Sequence, residues 1–515
     1  MKKTHKRHTL RLSLGAASAA ALGILPASSS FAAPASAPRQ PNVIIITTDQ
    51  QSWNMLSAYG TKPLATPAMD RLARDGYSFR KNYVSNPVCM PSRFSLYTGH
   101  YASEVGTKDN TPHPADTRRN IAIATEFGMG NLFRKAGYET FYSGKTHLYT
   151  PPGNSPSQKP APLYGFKLEG YDAYEGPVEF ARKFFANRKA GDKPFLAVFS
   201  FLNPHDICEQ AGIGRRPATL KNAESNRLLG VQKRLTPAKY ASGIPPMLAN
   251  TAPINGEQPG WVEMDSSSRK WSPTDWSLYR WLYYRLTESV DNQVGRVLAA
   301  FYASPFADNT IIVFTSDHGD MQGAHGLTLK NVPFEECQRT PFVFVGPGIK
   351  KGVADDDTLV CNGLDLIPTL CDLTGVKCSD ALPGKSLKGL LTGSGPAPQR
   401  DCIYTETYNS FTINDGRYKY TVFELPGNPE MLVDLKTDPG ELHNLAGDEG
   451  SQQIKTAMKD KLMKNLASRN LLPLTTNHTL AYIRKIQAEH GAGKEAKGAK
   501  GGKNAPAPDD ESSLE

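Results

Sequence analysis

The chain has 515 residues, more than one ordinary domain needs, with 59 Lys plus Arg against 50 Asp plus Glu and a formal net charge of +9. Five of the basic residues (Lys2, Lys3, Lys6, Arg7 and Arg11) fall within residues 1–32, which hold no acidic side chain; without that segment the balance is 54 against 50, or +4. A surplus that small argues against nucleic acid as a partner held by bulk charge.

The basic opening is followed by an apolar, Ala-rich run from Leu12 to Leu25 and by the small residues Ser28 to Ala33. This order predicts a signal peptide over residues 1–32, cleaved near Ala32 or Ala33; an uncleaved anchor is the alternative that length alone does not exclude. No later segment is apolar enough to cross a bilayer. The mature protein is therefore expected to be exported, periplasmic or secreted, without stable membrane insertion.

Continuous apolar runs predict strands at Asn42–Thr48 (NVIIITT), Thr140–Ser143, Phe195–Leu202, Thr310–Ser316 and Pro341–Val345. Runs without polar alternation suit strands covered on both faces. Helical patterns lie between them at Thr66–Asp75, Ile121–Ala136, Thr274–Tyr302 and Leu364–Thr374. The alternation predicts an α/β domain over residues 40–395. The texture then changes. Strand-like pieces at Cys402–Thr407 and Tyr418–Phe423, turns at Asn414-Asp415-Gly416 and Asp438-Pro439-Gly440, and a helix over Gln452–Ala467 predict a smaller antiparallel subdomain within residues 396–490. The Gly/Ala/Lys-rich and then acidic residues 491–515 read as a disordered tail.

Polar residues collect where the strong strands end: Asp49-Gln50-Gln51, Gly144-Lys145-Thr146-His147, Asn203-Pro204-His205-Asp206 and Asp317-His318-Gly319-Asp320. Ligands of open α/β sheets bind outside the carboxyl ends of the strands. Each residue alone has a bland explanation: a helix N-cap for Asp49, a turn for Asn203-Pro204, a surface charge for Lys145, a structural hydrogen bond for His205. Four such clusters at one edge read as one pocket.

The stretch NPVCMPSR, residues 86–93, adds a nucleophile-bearing position. Met90 precedes a proline and is pushed out of the helical region, Pro91 suits a first helical turn, and Thr98-Gly99 can stop the helix. Cys89 then stands at a helix N-terminus, where free N–H groups and the dipole favour an anion, with Arg93 one turn further in as an oxyanion partner. The chain has seven cysteines, an odd number, so at least one is unpaired; five lie between Cys337 and Cys402 as disulfide partners would, and no C-x-x-C pair supports a zinc ribbon.

Cys89-Met90-Pro91-Ser92-Arg93 with Leu96 and Thr98-Gly99 resembles the C-x-P-S-R-x-x-x-x-T-G signature of the formylglycine-dependent sulfatases, in the alkaline phosphatase superfamily. Asp49, Lys145-Thr146-His147, Asn203-Pro204-His205, Asp317-His318-Gly319, His325-Gly326, Lys330 and the run Leu432–Asn444 follow in that family's order, over residues 40 to 470. The resemblance implies an alkaline-phosphatase-like mixed sheet sandwiched by helices, with a smaller C-terminal antiparallel sheet. It implies that a maturation enzyme oxidises Cys89 to formylglycine before folding. The aldehyde hydrate has two hydroxyls on one carbon: one attacks the sulfate ester, and proton loss from the other expels sulfate by C–O cleavage. By the same resemblance Asp49, Gln50, Asp317 and His318, with residue 89, hold a divalent cation. Oxygen-rich ligation points to Ca²⁺, while Gln50 and His318, which replace the Asp and Asn of many relatives, keep Mg²⁺ and Mn²⁺ open. Arg93 would stabilise the hydrate, Lys145 and Lys330 would clamp sulfate, His205 would protonate the leaving alcohol and His147 would serve as the base, with Asp317 a further proton acceptor and His325 shaping the pocket.

Three functions remain open at this stage. Phosphonate monoester and phosphodiester hydrolases of the same superfamily carry the same cysteine motif and Asp-His pair, and an inactive exported glycan-binding protein could keep the thiol. The long insert from Gln210 to Thr274, with Trp261 and Trp271, and the nearby Trp53, Asp109 and His113, suit a sugar ring or simple loop packing. With export, they favour a sulfated carbohydrate as the substrate.

Overall fold

The computed structural model describes residues 39–110, 117–149, 161–208, 245–252 and 271–474 apart from Pro426 and Pro473. The expected signal peptide, the tail over 491–515, Trp261 and His113 lie outside the described residues.

Strands β1 (Asn42–Asp49), β2 (Tyr77–Phe79), β4 (Glu139–Gly144), β5 (Lys167–Leu168), β6 (Phe195–Pro204), β7 (Thr310–Ser316), β8 (Phe342–Val345) and β9 (Val353–Asp355) form one sheet in the order β5-β4-β6-β1-β7-β8-β2-β9. β4, β6, β1 and β7 run parallel, whereas β8 is antiparallel to both β7 and β2, so the sheet is mixed. Strand β3 (Asn82–Tyr83) pairs separately with β10 (Val360–Cys361).

Both faces are covered, which is why the strands read as unbroken apolar runs. Val43, Ile45, Tyr142, Val198 and Val313 pack on one face with Phe94, Phe133 and Ile367 from the helices Cys89–Thr98, Met129–Lys135 and Asn362–Thr374. Their neighbours Ile44, Ile46, Phe141, Phe199 and Phe314 pack on the other, against the helices Pro67–Asp75, Gly176–Asn187 and Pro273–Tyr302. The single helix expected over Ile121–Ala136 is two, Thr117–Phe127 and Met129–Lys135. Gly128 makes the break, at φ −52° and ψ 124°, where a Cβ would meet the Ala124 carbonyl oxygen at 2.3 Å.

The C-terminal residues build an antiparallel meander of β11 (Ile403–Glu406), β12 (Ser410–Asn414), β13 (Tyr418–Phe423) and β14 (Glu430–Asp434). One face, with Phe411, Tyr420, Val422 and Leu432, receives Met458, Leu462 and Leu466 of the helix Gln452–Ser468. The alternate residues Phe423, Met431 and Val433 pack with Met321, Leu327 and Phe334, which lie in the loops after β7. The small sheet thereby backs the segment that leaves the fourth polar cluster.

One disulfide forms, Cys371–Cys378, seven residues apart. The clustering of Cys337 to Cys402 does not extend to further pairs: Cys337, Cys361 and Cys402 are free, as are Cys89 and Cys208. Cys337 and Cys361 are buried in separate apolar clusters, so closeness in sequence is not closeness in space.

Candidate active site

Because β4, β6, β1 and β7 are parallel and in register, with Gly144 opposite Ser200, Asp49 opposite Pro204 and Thr48 opposite Ser316, their carboxyl ends share one edge. The four polar clusters therefore do meet. The helix Cys89–Thr98 supplies the fifth component. Val88 is extended and Cys89 is the first helical residue, so Met90, expected outside the helix because it precedes a proline, is within its first turn; Gly99 closes the helix at φ 74°, a left-handed conformation glycine adopts without strain.

All ten residues of this helix are buried, Arg93 included. Arg93 Nη2 lies 2.7 Å from Asp49 Oδ2 and Nε lies 2.8 Å from Asp317 Oδ2; Nη1 donates to Ser200 Oγ at 2.9 Å and to the Lys145 carbonyl at 3.1 Å. A guanidinium can be buried here because carboxylates and hydrogen-bond acceptors meet its fork. Its charge locks together the ends of β1 and β7.

The Cys89 sulfur faces His318 Nε2 at 3.1 Å, Lys330 Nζ at 3.3 Å and Asp49 Oδ1 at 3.8 Å. Lys145 Nζ lies 3.2 Å from Asp49 Oδ2, and His205 Nε2 lies 4.0 Å from Asp49 Oδ1. Burial and the Asp49 charge push the Cys89 thiol up, but Lys330, Lys145 and His318 outweigh them and hold it well below the ordinary thiol range. Burial likewise opposes ionisation of Asp49, yet Lys145, His205, Arg93 and His318 keep it well below the usual carboxylate range. Burial and the Asp49 charge push Asp317 up to about 6. Position 89 is thus surrounded by cations, as an anion-binding centre requires.

The donor chemistry also fits a divalent cation. One atom each from Asp49, Cys89, Asp317 and His318 lie within 4.8 Å of one another, and all four residues are buried. His318 Nδ1 donates to the Gly319 carbonyl oxygen at 2.9 Å, so Nε2 is the nitrogen turned to the cluster, able to hold either a proton or a cation. Gln50 stands beside this group with its oxygen turned elsewhere: Oε1 accepts from Lys330 Nζ at 2.8 Å and from Cys208 Sγ at 3.1 Å, while Nε2 donates to Asp320 Oδ2 at 2.8 Å. His147 lies two residues beyond Lys145, partly buried at φ 32°. The His325 ring stacks on Phe334 at 3.9 Å.

Sequence reasoning missed Ser200, whose hydroxyl is hidden inside the apolar run of β6, and the role of Asp320. Asp320 was visible in its cluster but gave no sign of holding Gln50 and the Tyr279 hydroxyl, 2.9 Å away. Trp271 packs at a tilt against Trp276 and Tyr279, ring centroids 4.8 and 5.5 Å away, and the Arg339 guanidinium covers Trp53 at 4.2 Å.

The sulfatase family profile matches residues 41–376, and the profile of the N-sulphoglucosamine sulphohydrolase C-terminal region matches residues 323–468. The chain belongs to the sulfatase family, within the alkaline phosphatase superfamily. It is a sulfuric ester hydrolase. It is 30% identical over 485 residues to a Δ4,5-hexuronate-2-O-sulfatase of Bacteroides thetaiotaomicron, covering 87% of this chain and 95% of that protein. An N-acetylglucosamine-6-O-sulfatase of the same organism is 26% identical over 475 residues, covering 79% of this chain and 83% of that one. The solved structure of a 2-O GAG sulfatase superposes with a TM-score of 0.70 at 27% identity, covering 84% of this chain and 93% of that chain.

Proposed function

We propose that this chain removes sulfate from a carbohydrate, using formylglycine made from Cys89 and a divalent cation. The observation that carries the reading is the placement of Cys89, at the start of a buried helix, within 3.3 Å of Lys330 and 3.1 Å of His318. The sulfur stands in for the oxygens of the oxidised residue. Sequence similarity to sulfatases of a hexuronate and an N-acetylglucosamine supports a sugar as the alcohol.

Asp49, Asp317, His318 and residue 89 would hold the cation, with Gln50 joining after its amide turns from Lys330; Ca²⁺ is the first candidate and Mg²⁺ or Mn²⁺ the alternatives. When bound, the cation neutralises buried carboxylates and polarises oxygens at position 89 and on the ester. Arg93 fixes Asp49 and Asp317 and so orients two ligands. Lys330 and Lys145 meet the sulfate oxygens, where charge grows as the ester bond breaks. His205 gives a proton to the leaving sugar oxygen. His147 takes the proton whose loss from residue 89 releases sulfate.

The buried position of Cys89 supports oxidation by a maturation enzyme before the helix closes over it. The basic and apolar opening supports export through a signal peptide. Among the described residues no helix is long and apolar enough to cross a membrane. Turnover of a panel of sulfated mono- and disaccharides, set against an aryl phosphodiester, tests the reading. Preference for a sulfated sugar upholds it; preference for the phosphodiester assigns the site to the other ester class.

A further inference from the structure

A second group of metal-type side chains lies outside the cluster around Cys89. One ring nitrogen of His325 and one carboxylate oxygen from each of Glu336 and Glu441 come within 4.8 Å of one another. They arrive from three segments: the turn Ala324–Gly326 after β7, the short helix Glu335–Gln338, and the loop that follows Asp438-Pro439-Gly440.

His325 is only 1% exposed, and neither of its ring nitrogens has a hydrogen-bond partner. A buried imidazole with both nitrogens bare forfeits its hydration for nothing, which a ligand would remedy. Both carboxylates carry the outer support that metal ligands have, and Glu336 is half-satisfied. Glu336 Oε1 accepts from Asn250 Nδ2 at 2.7 Å while its Oε2 has no partner. Glu441 Oε2 accepts from the Glu335 backbone N–H at 2.8 Å, and its Oε1 meets the Lys419 ammonium. Phe334, stacked at 3.9 Å and 20°, fixes the plane of the imidazole. Lys419 pairs with both Glu335 and Glu441, and Arg339 with Glu335, so Glu336 is the carboxylate of the group without an ion-pair partner among these cations.

We infer that His325, Glu336 and Glu441 form a second divalent-cation site of the zinc type, which ties the C-terminal loop to the turn after β7. One imidazole and two carboxylates leave a fourth position for water, and the nitrogen donor selects Zn²⁺ over Ca²⁺. Its work is cross-linking, since it joins the loop at Glu441 to His325 and Glu336, which lie far earlier in the chain.

The test uses the full chain with Cys89→Ala and His318→Ala, which removes the zinc-type donors of the first cluster and leaves the Arg93 ion pairs in place, stripped by chelation. Calorimetry and elemental analysis with Zn²⁺ should find one equivalent bound and no comparable binding of Ca²⁺. Adding His325→Ala should remove that equivalent. No bound Zn²⁺ in the double variant, or stoichiometry unchanged by His325→Ala, overturns the site. Should His325→Ala fail to fold, anomalous diffraction at the zinc edge from wild-type crystals decides: a peak between His325, Glu336 and Glu441 supports the site, and its absence after Zn²⁺ saturation refutes it.

Discussion

The Lys330 ammonium lies 3.3 Å from the Cys89 sulfur, although 241 residues separate them in the chain. Lys330 is 6% exposed and is otherwise engaged by the Gln50 amide oxygen at 2.8 Å. A cation this desolvated is preorganised for an anion bound at position 89, where it acts without reorganising solvent. Lys330→Met keeps the apolar stem and removes the charge. It should lower kcat by about 10²- to 10³-fold, as loss of one preorganised donor does elsewhere. Steady-state kinetics with one sulfated substrate checks this; a change confined to KM would move Lys330 to ground-state binding alone.

Arg93 is a test of assembly. Removing it leaves Asp49 and Asp317 as buried neighbouring carboxylates without their guanidinium. Loss of one partner from a buried pair costs about 3–5 kcal/mol, and Arg93→Lys cannot restore contacts to both carboxylates, Ser200 and the Lys145 carbonyl. Denaturant unfolding should show both variants destabilised, Ala more than Lys. Wild-type stability in Arg93→Ala would mean that the fork does not hold the strand ends together.

A pH dependence follows from Asp291, which accepts from the Met69 and Ala68 backbone N–H groups at 2.8 and 3.2 Å at the start of the helix Pro67–Asp75. Burial outweighs those hydrogen bonds and pushes its carboxyl from 3.8 up to about 6. The stability this group contributes is complete below 3.8 and is lost as pH rises through about 6. Asp291→Asn retains an acceptor and does not titrate. Relative to wild type it should gain about 2–3 kcal/mol between pH 4 and 7, read by unfolding at each pH. A difference that stays flat would show that the folded carboxyl is ionised throughout.

Much of this arrangement was legible because it rests on local chemistry. The runs NVIIITT and TIIVFTS gave β1 and β7 almost to the residue, since strands covered on both faces need no polar alternation. Pro91 and Gly99 marked the helix that begins at Cys89. Less legible were features set by tertiary contact. Gly128 breaks a helix because Ala124 and Tyr164 approach it, and β8 runs antiparallel through pairing that its sequence does not encode. Ser200 reads as one hydroxyl in an apolar strand until Arg93 arrives from another segment. The orientation of the Gln50 amide depends on Asp320, Lys330 and Cys208 together, which no single motif specifies.

The two histidines should separate by leaving group. If His205 protonates the departing oxygen, His205→Ala should slow sulfates of basic sugar alcohols by ~10²–10⁴ and activated aryl sulfates far less. If His147 removes the proton that frees sulfate, His147→Ala should slow both alike and retain sulfate on residue 89. Mass spectrometry after substrate exposure distinguishes them, and sulfate retained only in the His205 variant would exchange the two roles.

The chemistry of the site turns on what stands at position 89. Cys89 has no exposed surface, and Lys330, Lys145 and His318 surround it as they would an anion. The most direct measurement is the mass of the peptide containing residue 89, taken from protein purified in active form alongside its specific activity. Loss of the thiol and gain of a carbonyl are expected at that residue, with activity proportional to the converted fraction. Full activity in protein whose Cys89 is an unmodified thiol would contradict that expectation.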